Sequence, residues 1–441
     1  MEQTAIKAGA PPSPSPIDTS AAFTAERPRP LTRVKPLPIR CLEVLASLRL
    51  TVILFTLSIF LVYFGTWAQK DASIWAVVNQ YFRSFYVWIP FKVLLMYSVD
   101  DVGGSIPYPG GWLLGGLLLI NLLAAHAVRF KISWKRSGIL LIHSGLILMM
   151  VGELVTGLYA VEGHMFIMEG NSANFVEHDR SVELAIIDRS DAKMDRETII
   201  PGKLLERKGG ISNSELPFDV EVVDFMPNSE ILDFGWQEPG QKIPNNPATA
   251  GIGVRRLAKL APPEAGVDTK QKGEFPSVYV TLKEKGTGKV MGTYLLSILF
   301  SYMQTPLDEV VVDGKRYEFS LRFQRDYRDY SLQLIRFDHD KYIGTDKARN
   351  FSSLVNVKDT KAIEQDKTGR QVLIYMNHPL YFQGETLYQA NLHHIAKGTV
   401  LQVVRNPGWR LPYISFILVC VGMLVHFGLH LVSFLRRGFA K

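Results

Sequence analysis

The sequence predicts a membrane α protein, with four transmembrane helices and a large β-rich extracytoplasmic domain inserted between helices three and four. Three observations predict it. Four apolar blocks each approach the ~20 residues that a helix needs to cross hydrocarbon. Basic residues crowd the short flanks of those blocks. The long stretch between the third and fourth blocks alternates apolar and polar residues in short runs bounded by turn residues, as antiparallel strands do.

Residues 1–44 are rich in Pro, Ala, Ser and Thr and lack hydrophobic periodicity, so they are expected to form a disordered cytoplasmic leader. A secretory signal would carry its apolar region within the first ~15–30 residues. Here the first apolar run begins near Leu48, so 45–66 reads as a retained first span. The others are 111–128, 137–159 and 411–435. Before span one come Arg27, Arg29, Arg33, Lys35 and Arg40; the loop 129–136 carries Arg129, Lys131, Lys135 and Arg136; the tail 436–441 carries Arg436, Arg437 and Lys441. Four crossings put all three flanks on one side, which the positive-inside rule makes the cytoplasm. The expected location is therefore the inner (cytoplasmic) membrane, with both termini cytoplasmic and 67–110 and 160–410 outside. Trp67, Trp75, Tyr81, Phe82, Phe85, Tyr86 and Trp88 suit 67–110 to the membrane interface.

Within 160–410 the strand-like runs are 182–187, 220–225, 278–282, 317–323, 331–337, 372–376 and 399–404, with turns at Pro201-Gly202, Lys285 to Gly288 and Asp313-Gly314. The two cysteines, Cys41 and Cys420, form no CxxC and give the exported domain no disulfide framework. The net charge of +7 arises largely beside the spans, which fits membrane topology and lipid contact and argues against nucleic acid.

Four of the ten histidines lie in the spans: His126, His143, His426 and His430. Ionisable groups in membrane helices are functional candidates by default. At 1.5 Å per residue, His126 lies roughly 4–5 Å from Arg129, His143 roughly 10 Å from Arg136, and His430 and His426 roughly 9 and 15 Å from Arg436. All four fall in the cytoplasmic half. Imidazole in an apolar bundle suits haem iron, although a membrane histidine also serves as a helix-to-helix hydrogen-bond partner. His126, near the interface, fits either role. His426 and His430, one turn apart on one face, have a spacing that can chelate one small metal ion but suits the two axial positions of a single haem poorly; one is expected to function and the other to pack. Glu153 reads as a solvated interfacial residue. The adjacent His393 and His394 would point to opposite faces of a strand and are not a chelate. No HExxH, GxSxG, Walker or GxGxxG pattern marks a catalytic residue, and no metal cluster has ligand spacing.

In this order and on this topology, several short motifs resemble the ResB family of System II cytochrome c biogenesis. They are Ser47-Leu48-Arg49-Leu50, Gly65-Thr66 with Gln69, Tyr81-Phe82-Arg83-Ser84, His143-Ser144-Gly145-Leu146, Gly344-Thr345 with Arg349-Asn350-Phe351-Ser352-Ser353, and Pro407-Gly408. The most specific is Asn377-His378-Pro379-Leu380 followed by Gly384, Thr386, Tyr388 and Gln389. Asn377, Pro379, Gly384, Tyr388 and Gln389 read as builders of the β fold, with Gly384 at a hairpin tip and Tyr388 in a strand core.

The resemblance implies a cytochrome c maturation factor that works with a ResC/CcsA-type membrane protein. It moves haem b, held non-covalently, from the cytoplasmic side outward and presents it to apocytochrome c for thioether attachment. The client's thiols are kept reduced by a separate thiol-reducing system. The resemblance maps His143 to the membrane histidine that holds haem. The chain carries no Trp-Gly-x-x-Trp haem motif and is expected to be a non-catalytic or co-catalytic subunit of a haem lyase complex. The alternatives are a b-type haem electron-transfer subunit, which usually needs histidines in both membrane halves, and a non-haem scaffold with a docking β domain.

Overall fold

The computed structural model describes residues 36–438 apart from 96–102, 130–132, 192–193, 236–242, 264, 266–273, 304, 343, 345–347, 360, 362–367 and 393–397. Most of the leader, at 1–35, lies outside the described residues, as do Lys131, Thr345, His393 and His394.

Among the described residues, four helices are long and apolar enough to cross a membrane: Leu48–Ala68, Gly111–Arg129, Ser137–Tyr159 and Leu411–Gly438. They are called spans one to four. Together with a β-rich region between Val161 and Arg405 in sequence, they give the chain the build of a multi-pass membrane protein with a β domain.

The expected disorder does not reach residue 44, because Leu37–Leu45 is a helix. Pro36 precedes its first turn, where the missing N–H of proline costs nothing. The chain breaks at Ala46-Ser47, where Ser47 is extended, and Asn121 of span two binds the break. Its amide donates to the carbonyls of Leu45 and Ser47, while Thr51 Oγ1 donates to Asn121 Oδ1 at 2.7 Å. Asn121 is 4% exposed, so these bonds satisfy a polar group that would otherwise be buried at a penalty.

Spans three and four make the closest helix pair. Gly138, Gly145 and Gly152 recur every seven residues and are all buried, facing buried Ser415 and Gly422. A Cβ at Gly138 would lie 2.5 Å from the His426 backbone nitrogen, and one at Gly145 would lie 2.8 Å from the Ser415 carbonyl oxygen. Small residues let membrane helices approach backbone to backbone, where packing rather than the hydrophobic effect holds them together. Spans two to four end at one level, distant from the basic flanks. A Cβ at Gly157 would touch Trp112 at 3.3 Å, and Asn406, just before span four, donates to Thr156 Oγ1 at 3.1 Å.

The segment after span one folds back along it. Short helical turns at Ile74–Val77 and Val78–Phe82 lead to a hairpin of Tyr86–Pro90 and Ser105–Pro109. Val77, Tyr81, Val87 and Ile89 bury themselves against Leu54, Leu61 and Phe64. The Tyr108 hydroxyl donates to the Leu57 carbonyl at 2.9 Å.

The β region is a ten-stranded antiparallel sheet and a four-stranded one, with a separate short pair. Two long strands organise it, Ser172–Asp188 and Lys315–Lys341. The first half of Lys315–Lys341 gives Phe319 and Leu321 to a core shared with Phe218, Val220, Val280 and Leu282 of the smaller sheet. Its second half gives Leu332 and Leu334 to another core with Met165, Val355, Leu387 and Leu401. Each expected strand run falls in a strand, except that 372–376 overruns its strand, Arg370–Tyr375, by one residue, and 317–323 and 331–337 are parts of one strand. Asp313-Gly314 turns with positive φ at both residues, as a two-residue hairpin requires. Pro201-Gly202 is no simple turn: Pro201 caps the short helix Gly202–Leu205.

Candidate functional site

Span two and span three bring His126 and His143 together. Their rings stand 4.9 Å apart, centroid to centroid, at 74°. His126 Nδ1 lies 2.9 Å from the Leu122 carbonyl. A carbonyl only accepts, so Nδ1 carries the hydrogen and the ring's remaining lone pair is on Nε2. A bond of this kind fixes the tautomer and orientation of ligating histidines. His126 Nε2 and His143 Nδ1 are both shielded from the surface.

His426 and His430 form a second pair, 4.6 Å apart at 73°. The His426 backbone packs on Gly138, whereas His430 is exposed. Gly138 faces span four, and His143, five residues on, meets span two. Among the described residues, ring contacts join His126 to His143 and His426 to His430. Among the described residues no group of three or more His, Cys, Asp or Glu side chains gathers as a metal site. Glu153 is exposed on span three.

The first pair suits a haem-handling role in one respect and limits it in another. Two imidazoles bonded to one metal at about 2.0–2.1 Å each, on opposite sides, have centroids about 6 Å apart. At 4.9 Å the rings are too close to hold a macrocycle between them. The arrangement fits one imidazole on iron with the other beside it, or a pair that parts by about 1 Å.

The signature residues lie elsewhere, in the second β core and at its edge. Asn377 has φ 62°, which turns the chain before Pro379 and Leu380; Gln383 and Gly384, at φ 46° and 79°, form the hairpin tip between Leu380–Phe382 and Glu385–Leu392. Gln389 joins a buried network. Ser353 Oγ donates to Gln389 Oε1 at 2.6 Å, and Gln389 Nε2 donates to Thr399 Oγ1 at 3.0 Å. Ser353 and Thr399 are fully buried. Tyr388 corrects its expectation: it is 40% exposed and lies outside the strand core. Along Glu385–Leu392, Leu387 and Gln389 face inward or partly inward, and Tyr388 takes the other face.

Gln389→Leu should destabilise the protein by about 1–3 kcal/mol, because buried hydroxyls lose a partner. Thermal unfolding followed by tryptophan fluorescence checks this, and haem content per folded molecule should not change.

Sequence reasoning missed Asn121, the glycine stripe and two buried ion networks in the β region. Arg322 binds Glu183 at 2.9 Å and grips Glu197 with both terminal nitrogens, while Glu385 accepts from Arg328 and from Tyr330 at 2.7 Å. The seven-residue glycine spacing was a readable signal. The ion networks join residues far apart in sequence and left none.

Residues 127–198 match the sequence profile of ResB, the ResB-like family. The match begins next to His126, covers all of span three with His143, and continues into the first strands of the β region. This agrees with the resemblance carried by the motifs and suggests a role in cytochrome c biogenesis. A comparison with curated proteins gives no match.

Proposed function

We propose that this chain is the haem-handling membrane subunit of a cytochrome c maturation complex, working with a ResC/CcsA-type partner. The observation that carries the reading is the His126–His143 contact inside the apolar bundle, on the helices where the ResB-like match begins. The basic flanks put the pair in the cytoplasmic half of the inner membrane. Haem b enters from that side as cargo. His143 ligates iron, and His126, with its tautomer fixed by the Leu122 carbonyl, stands beside it as a second ligand or a relay position. The β domain lies outside, where apocytochrome c with reduced CxxCH thiols is presented and thioether bonds are made together with the partner. ResB proteins generally work with such a partner.

The test is a reporter cytochrome c expressed in cells that depend on this chain for maturation. His143→Ala should abolish most covalent haem staining of the reporter while the variant accumulates normally, and His126→Ala should lower it less. Full maturation with both histidines replaced would leave the chain a scaffold.

A further inference from the structure

An exposed aromatic cluster sits where the β region meets span four. Tyr381, 58% exposed, stacks on Trp409 with centroids 5.9 Å apart, and Trp409 meets Tyr413 edge-on at 6.3 Å. Tyr388, 40% exposed, follows by two residues Thr386, the register partner of Tyr381, so the two tyrosines share one face of the hairpin; partial burial raises the Tyr388 hydroxyl pKa, and Tyr381 and Tyr413 raise it further. The Arg410 guanidinium stands 5.0 Å over the Trp409 ring.

The level of this cluster is fixed by covalent and hydrogen-bonded geometry. Trp409 precedes the first residue of span four by two positions. Asn406 is bonded to Thr156 in the last turn of span three, and Trp112, at the start of span two, lies beside Gly157. Three apolar helices therefore end at the height of Trp409. Tyrosine and tryptophan have apolar bodies and polar tips and concentrate where hydrocarbon meets headgroups. A soluble edge hairpin has no need of an exposed tyrosine stacked on the tryptophan that precedes a membrane helix.

We propose that the hairpin of Leu380–Phe382 and Glu385–Leu392 is seated in the phospholipid headgroup layer, with Tyr381, Tyr388, Trp409 and Tyr413 as an interfacial anchor and Arg410 facing lipid phosphate. The anchor holds one edge of the ten-stranded sheet down on the bilayer at the far end of spans three and four. It gives Tyr388 a role that a strand core does not. The inference depends on the spans crossing a bilayer and is independent of haem.

The chain has only two cysteines, so Cys41→Ser and Cys420→Ser give a background for site labelling. Tyr381→Cys and Tyr388→Cys would each carry a nitroxide, with the exposed Val290→Cys in the other sheet as reference. The full-length protein is reconstituted alone in vesicles of phosphatidylethanolamine and phosphatidylglycerol. The proposal expects collisions with a water-soluble nickel chelate to be several-fold rarer at both hairpin positions than at the reference, with collisions with oxygen enhanced. Equal nickel access at all three positions overturns it. Nickel access in lipid alone that is lost only when the partner is co-reconstituted also overturns it and assigns the patch to a protein. Two hairpin sites, both exposed, keep the test valid if one variant misfolds.

Discussion

Gly145→Leu is expected to break the contact between spans three and four and to remove most of the folded protein from the membrane. Even a methyl group is too large there. It would lie 2.6 Å from a Val419 methyl and 2.8 Å from the Ser415 carbonyl oxygen, and the latter is backbone, which cannot rotate away. Overpacking by a single group costs about 1–3 kcal/mol, so Gly145→Ala should lower the unfolding temperature clearly and the leucine variant far more. Gly138→Ala should behave like Gly145→Ala, because its neighbour is the His426 backbone. Gly152→Ala meets mainly the Leu411 side chain and should be milder. Gly116, with open space around it, is the neutral control. Thermal unfolding in one detergent, with expression level, ranks the series. Equal stability of Gly116→Ala and Gly145→Ala would contradict the close approach.

Arg322→Met should destabilise the β domain by about 3–5 kcal/mol, the usual consequence of removing one partner from a buried ion pair. Arg322 is 5% exposed and lies on the strand Lys315–Lys341, with Glu183 and Glu197 on the next two strands. Burial works against its charge, but the hydrogen bonds it donates to Glu197 and Glu183 outweigh this and raise its pKa. Without it, Glu183 is left as a buried carboxylate with no cation. Arg325→Met, whose pair with Glu177 is partly exposed, should cost much less.

The same network sets a pH dependence. The Arg322 hydrogen bond holds the Glu197 pKa below its ordinary value, against opposing burial. A depressed carboxylate contributes stability above its unfolded pKa of about 4.3 and loses it as pH falls through the folded value. The native protein should therefore lose stability below about pH 4. In Arg322→Met, Glu197 should contribute less to that loss. Unfolding temperatures between neutral and acid pH for both proteins check the sign.

How much of this was legible depends on the range of each interaction. The four long apolar helices could be read, since an apolar block of the length a membrane requires leaves little freedom. The depth arithmetic that put His126 and His143 in the same half of the bundle used only helical rise and the basic flanks, and the two rings meet. It could not say that span four faces another side of span three, because that depends on the glycine stripe. The strand Lys315–Lys341 looked like two strands because Gln324 to Asp329 is mostly polar and the pairing register shifts at Phe323/Gln324 and again between Tyr327 and Leu332, interrupting the alternation. The helix Leu37–Leu45 was hidden by the proline-rich composition before it. Tyr388 was misplaced because a strand residue's face depends on register, and one step reverses it.

The most direct measurement is the visible absorption spectrum of the full-length protein, purified with and without a coexpressed ResC/CcsA-type partner, for wild type and for His143→Gly with and without added imidazole. The proposed function predicts a reduced Soret and α band in wild type, their loss in folded His143→Gly, and their return when imidazole fills the vacated position. Haem-free wild type in both preparations, or bands unchanged by His143→Gly, would contradict it and leave haem to the partner alone.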